Sequence, residues 1–207
     1  MVQAEQAQAS ITQATSTYTS PVTYTPPPKT TEVAFIGDSF TMGGGATNRS
    51  KRWTTVLSRD MKWVELNYGV SGTNYATAGT VVGAKPYWDN LTDLIISQPD
   101  IVIVSSAGNA LNVDQEPGIS RTYEKLREAL PDAQIYATSP YTRAGGFGTG
   151  LKEFGEEVEQ GVESVGGEYL DLNHPIGTRF DLMDDDDIHP NDEGHQIIAD
   201  SVKREIL

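Results

Sequence analysis

Ile101-Val102-Ile103-Val104 runs straight into Ser105-Ser106-Ala107-Gly108-Asn109. Four β-branched residues in a row leave no polar side, so the segment reads as a strand buried on both faces of a sheet. Both faces are covered when helices pack on each side, which calls for parallel strands joined by helical crossovers. The small and polar residues that follow lie beyond the strand's carboxyl end, where open α/β sheets bind their ligands.

Working outward, Val33-Ala34-Phe35-Ile36 is a second apolar run and ends in Gly37-Asp38-Ser39-Phe40. Trp63–Val70 alternates, with Val64, Leu66 and Tyr68 on one side, and Gln134–Thr138 and Glu168–Leu172 are weaker strand candidates. Helical stripes fall between them: Trp53, Val56 and Leu57; Ile119, Tyr123, Leu126 and Leu130; Leu151, Phe154, Val158, Val162 and Val165; and Ile198, Val202 and Ile206. Such stripes are core faces. The alternation predicts a three-layer α/β/α sandwich with about five parallel strands. Its ligand edge would hold Gly37–Phe40, Val70–Thr73, Ser105–Asn109 and Ser139–Gly150.

The chain has 207 residues, enough for one domain and a tail. Residues 1–30 are rich in Thr, Gln, Ala and Pro, too poor in bulky apolar residues to build a core, and end in Pro26-Pro27-Pro28. They are expected to form a disordered tail or tether before a domain over 31–207. The tail lacks the basic start and apolar stretch of a signal peptide. Its composition suits a tether, so an extracytoplasmic setting, secreted or tethered, is expected over a cytoplasmic one. With 29 acidic and 15 basic residues the net charge is −14, which excludes a nucleic-acid footprint. Mean hydropathy is −0.40 and no apolar run approaches a membrane span. With no cysteine in the chain, disulfides, thiolate nucleophiles and thiolate metal sites are absent. A monomer is expected.

Four features on the predicted ligand edge carry chemistry. Ser39 follows a buried strand on a sharp turn, where its hydroxyl is presented and its N–H can approach an oxyanion; a turn serine capping a helix is the ordinary alternative. Asp186-Asp187-Ile188-His189 precedes the last helical stripe. The three-residue spacing lets Asp186 orient His189 as a base, although a solvated acidic loop and a packed histidine would read the same. Asn109 offers a side-chain donor after the strand at 101–104, and Gly72 lets a backbone N–H approach a substrate; either could equally be a turn residue.

In that order these residues resemble the blocks of the SGNH/GDSL hydrolases: Gly37-Asp38-Ser39 the first, Asn67 to Gly72 the second, the Asn109 region the third, and Asp186 to His189 with Pro190 the last. The resemblance spans residues 32–207. It implies a flavodoxin-like sandwich and an esterase-type mechanism, with Ser39 as nucleophile, His189 as base and Asp186 as its orienting acid. It also implies an oxyanion hole made by the Ser39 and Gly72 N–H groups and the Asn109 side chain, with neither metal nor organic cofactor. The third block departs from the usual Gly-x-Asn-Asp: it reads Ala107-Gly108-Asn109-Ala110, which puts its loop support in question.

The expected activity is hydrolysis of carboxylic esters, deacylating a small molecule, a carbohydrate or a lipid. Transfer of the acyl group to a sugar hydroxyl and a catalytically silent carbohydrate- or lipid-binding module are the alternatives. Gly43-Gly44-Gly45 is not a phosphate loop, because no Gly-Lys-Ser/Thr follows, and His195 reads as structural. Two Gly-rich segments are expected to shape the pocket: Gly72–Trp88 with Tyr75, Tyr87 and Trp88, and Tyr141–Gly150 with Arg143 and Phe147.

Overall fold

A computed structural model describes residues 29–79, 81–146 and 150–207. Residues 1–28, most of the expected tail, lie outside the described residues, as does Phe147.

Five strands form one sheet: β1 (Glu32–Gly37), β2 (Val64–Gly69), β3 (Ile101–Val104), β4 (Gln134–Thr138) and β5 (Glu168–Leu170). Their order is β2-β1-β3-β4-β5 and every pair is parallel. This is the flavodoxin-like order, with its switch point between β1 and β3. The described helices are α1 (Ser39–Met42), α2 (Trp53–Met61), α3 (Thr92–Ser97), α4 (Glu116–Ala129), α5 (Leu151–Ser164) and α6 (Asp192–Ile206). None is long and apolar enough to cross a membrane.

The alternation of strand side chains builds two cores. Val33 and Phe35 stand level with Ile101 and Ile103 and pack with Trp53 and Leu57 of α2 and Ile198 and Val202 of α6. Ala34, Ile36, Val102 and Val104 point the other way, onto Leu94 of α3, Ile119 and Tyr123 of α4, and Phe154 and Val158 of α5. Each of the Val, Leu, Ile and Phe side chains, where fully buried, stabilises the fold by about 1.5–3 kcal/mol. The predicted stripes are therefore the core faces of α2, α4, α5 and α6. β5 is shorter than its apolar pattern, because the Leu172 N–H bonds the Ser139 hydroxyl at 2.9 Å instead of joining the ladder.

Candidate active site

Ser39 opens α1 directly after β1 and is nearly buried. The turn is tight: a Cβ on Gly37 would stand 2.2 Å from the Thr41 hydroxyl and 2.7 Å from the Ser105 carbonyl. Asp38 caps the short helix, its Oδ1 accepting the Phe40 N–H at 3.0 Å. Its other oxygen reaches across the switch point, accepting the Ala107 N–H at 2.6 Å and the Asn109 Nδ2–H at 3.2 Å. Burial pushes the Asp38 carboxyl up to about 6, against the lowering effect of the N–H donors and the nearby His189. Sequence reading passed over Asp38, although Asp before a helical serine is a capping signal.

Asn109 sits beyond β3 beside this carboxylate. Its Nδ2 donates to Asp38 and, at 3.3 Å, to the Thr73 carbonyl, while its own carbonyl accepts from Asn74 Nδ2 at 2.5 Å. The altered third block holds itself through backbone rather than through the missing side chains: Ala107 N–H binds Asp38, and Gly108 N–H binds the Ser106 hydroxyl at 3.1 Å. Gly72 occupies the third position of the Val70–Thr73 turn with φ +76, the left-handed setting that favours glycine there. That turn is tied to the serine turn by Val70 N–H on the Gly37 carbonyl at 2.8 Å.

Asp186 holds His189 at two points. Its Oδ2 lies 2.6 Å from Nδ1 of the ring, and its Oδ1 accepts the backbone N–H groups of Ile188 and His189, each at 2.9 Å. Foremost the His189 N–H, with the imidazole bond and the Ile188 N–H, holds the Asp186 carboxyl down at about 2. A carboxylate at Nδ1 leaves Nε2 as the ring's proton acceptor. The imidazole leans on the Phe40 ring, centroids 5.7 Å apart, one residue from Ser39.

A glycine floor supports this ring. A Cβ on Gly44 would stand 2.6 Å from Cδ2 and 3.0 Å from Nε2 of His189, and one on Gly45 would meet the Pro190 carbonyl at 2.3 Å. Gly44 and Gly45 are thus required by close approach to His189 and Pro190 far along the chain, a role their local sequence does not signal, whereas a Cβ on Gly43, at φ +102, would meet the Arg52 side chain at 2.8 Å. His195 is fully buried, on the far side of this loop.

Ser39, Asn109, Gly108, Arg143, Gly146 and Ile188 are among the residues lining one cleft of about 720 Å³. Tyr75, Tyr87 and Tyr141, expected around the pocket, are instead core residues with at most 1 % exposure. Tyr75 packs on Tyr87 and bonds the Tyr123 hydroxyl at 2.6 Å, and Tyr141 bonds Ser105 at 2.8 Å. Trp88 lies away from the cleft, under Arg121 and Lys125. A separate hollow of about 380 Å³ beside α5 and β5 holds none of the candidate site residues. Among the described residues no group of three or more His, Asp or Glu side chains is arranged to hold a metal ion.

The chain is 24 % identical over 186 residues to a GDSL lipase of Mycobacterium tuberculosis, covering 82 % of this chain and 79 % of the relative. Among solved structures, a lipolytic protein of the G-D-S-L family from Desulfitobacterium hafniense aligns with TM-score 0.63 and 21 % identity over 84 % of this chain and 98 % of its own. A catalytic mutant of an acetylxylan esterase from Geobacillus stearothermophilus gives TM-score 0.63 and 18 % identity over 85 % and 94 %. A family two carbohydrate esterase from Clostridium thermocellum, in complex with cellohexaose, gives 0.66 and 18 % over 88 % and 65 %. These likenesses share the sandwich. Residues 35–197, from the strand before Ser39 to the helix after His189, match the model of the GDSL-like lipase/acylhydrolase family, and to that family of hydrolases the chain belongs.

Proposed function

We propose that the protein is a serine esterase that cleaves short-chain carboxylic esters, acetyl esters of saccharides foremost, through an acyl-enzyme. The observation that carries this reading is the Asp186–His189 pair, 2.6 Å apart and braced on Phe40, next to the Ser39 turn. His189 Nε2 takes the Ser39 proton as Oγ attacks the ester carbonyl, and Asp186 stabilises the imidazolium that results. The Ser39 and Gly72 N–H groups and Asn109 Nδ2 receive the oxyanion; for Asn109 the oxyanion takes over the long bonds to Asp38 and Thr73. The imidazolium returns its proton to the departing alkoxide. Water then attacks the acyl-Ser39 carbonyl, with His189 again accepting the proton; the acyl–Oγ bond breaks, the carboxylic acid leaves, and the imidazolium returns the proton to Ser39 Oγ. The catalytic unit is residues 31–207.

The short acyl group is inferred from the cleft, where Ala107, Gly108, Gly145 and Gly146 make much of the wall and leave Phe40 and Ile188 as the large apolar side chains a long acyl chain could bury against. The saccharide alcohol is inferred by analogy with the carbohydrate esterases that share the fold. An ester panel from acetyl to long acyl, with acetylated saccharides included, tests both. Falling kcat/KM with chain length and turnover of the acetylated sugars are expected; a preference for long acyl chains overturns the cleft argument. Ser39→Ala is expected to abolish turnover in a folded protein. Retention of more than a few per cent of wild-type turnover would sink the mechanism. Acylated product formed when a free sugar is added would redirect the reading to acyl transfer.

A further inference from the structure

Gly44 touches three things at once. Its N–H donates to the carbonyl of Ser39 at 2.8 Å, its Cα faces the His189 ring at a distance that admits no Cβ, and its own carbonyl lies 2.9 Å from Nε2 of His195. We propose that His195 is a positioning residue for the base: it clamps the Gly44 carbonyl and so fixes the floor on which His189 stands. The inference rests on the reading of Ser39 and His189 as nucleophile and base.

The hydrogen bonds fix the tautomer. Nδ1 of His195 lies 3.2 Å from the backbone N–H of Trp53, which can only donate, so Nδ1 is an acceptor. Nε2 faces a carbonyl, which can only accept, so Nε2 carries the proton. Trp53 is the first residue of α2, and the residue before it provides no side-chain cap. Helix-start N–H groups need partners from outside the helix, so His195 satisfies α2 with one nitrogen and holds Gly44 with the other. Its position is set by α6, where its own N–H bonds the Asn191 carbonyl at 2.9 Å.

A charged ring could not serve, because protonated Nδ1 would confront the Trp53 N–H with a second donor. Burial lowers the His195 pKa, and the nearby His189 pushes the same way; the Gly44 carbonyl and the Asp192 carboxylate oppose them. Asp192 is itself engaged by the Thr47 N–H and hydroxyl, at 2.9 and 2.8 Å. The same first turn of α6 therefore pins both ends of the stretch from Gly44 to Thr47.

Two substitutions in the full chain separate positioning from mere stability. His195→Asn keeps an acceptor for Trp53 but is too short to reach Gly44. His195→Gln carries an amide donor out to the Gly44 carbonyl. With p-nitrophenyl acetate, His195→Asn is expected to lower kcat by about tenfold or more at unchanged KM, the effect of a misplaced catalytic group. His195→Gln is expected to restore kcat to near wild type, even where both variants melt at the same reduced temperature. Wild-type kcat in the Asn variant, equal loss in both variants, or a change confined to KM overturns the proposal. Should neither variant fold, nitrogen-15 histidine spectra of the wild-type protein decide. A neutral His195 with its proton on Nε2 throughout the active pH range supports it, and a proton on Nδ1 there overturns it. Persistence of turnover in Ser39→Ala would instead refute the underlying site reading and leaves the His195 measurement separate.

Discussion

The Asp38 carboxylate and the Ala107 N–H meet at 2.6 Å across the switch point of the sheet, and this contact ties the serine turn to the Asn109 loop. The same oxygen holds Asn109, and its twin caps the helix that Ser39 opens. Asp38→Asn would leave one carbonyl oxygen for three donors. A hydrogen bond to a charged group is worth about 1.5–3 kcal/mol, so a clear fall in melting temperature is expected. Turnover should drop about tenfold or more with little change in KM. Wild-type turnover in this variant would count against the coupling.

The raised pKa of Asp38 has a signed consequence for stability. A carboxyl that holds its proton up to about 6 in the folded state stabilises the fold most below the ordinary carboxylate range. That contribution declines as pH rises towards about 6 and is constant above it. His195, its pKa lowered by burial, acts in the opposite sense, losing stability as pH falls. The difference between wild-type and Asp38→Asn melting curves, measured from pH 4 to 7, isolates the Asp38 part. It should shrink as pH rises towards 6.

Asp186 stands in a run of four aspartates, yet it alone is bonded to the imidazole. Asp186→Asn is expected to cut kcat by roughly a thousand-fold or more, since an amide at Nδ1 admits the wrong tautomer. Asp185→Asn should change turnover less than about twofold, as for an exposed charge screened by salt. Equal damage from both would show the run acting as a unit. With its carboxyl held at about 2, Asp186 stays charged throughout the mildly acidic range, so loss of activity there should not track Asp186.

For Asn109→Ala, turnover is expected to fall on the order of a hundred- to a thousand-fold. KM should stay near wild type, because the donor acts on the oxyanion. A rise in KM alone would make Asn109 a loop former tied to Asp38 and Thr73.

Lys29, the first of the described residues, pairs with Asp100 beside the start of the sheet. Asp100 also accepts the Glu32 N–H at 3.0 Å, and the Thr31 carbonyl accepts from Val64 at 2.9 Å. A chain beginning at Lys29 keeps these contacts, and residues 1–28 are too poor in bulky apolar residues to build a core, so it is expected to melt within about 2 °C of the full chain and to keep its activity. A large loss of either would place part of the folding unit in residues 1–28.

What could be read from sequence was whatever has a short period or a fixed spacing. Ile101–Val104 announces a buried parallel strand because nothing else tolerates four β-branched residues there. Asp186 and His189 announce each other because three residues suffice to close the pair. Asp38 was legible only as a neighbour of Ser39, since its second oxygen works on residues of another strand's loop. Gly43-Gly44-Gly45 was legible only as not being a phosphate loop, because the need for Gly44 and Gly45 lies in the His189–Pro190 segment contributed by the far end of the fold. Tyr75, Tyr87 and Tyr141 were assigned to the pocket by proximity in sequence, but hydrophobic burial took them into the core, while Trp88 stacks under Arg121 and Lys125.

Gly44 and His195 are 151 residues apart in the chain, and the loop carrying Ser39 is completed only when α6 docks on α2. A nascent chain that has emerged as far as β5 already has its five strands, Ser39 and Gly44, but neither His189 nor the His195 that holds Gly44. On the proposed reading of Ser39 and His189, the centre is complete only once the C-terminal stretch with His189 and α6 has been made, so a shorter chain is expected to be inert towards esters.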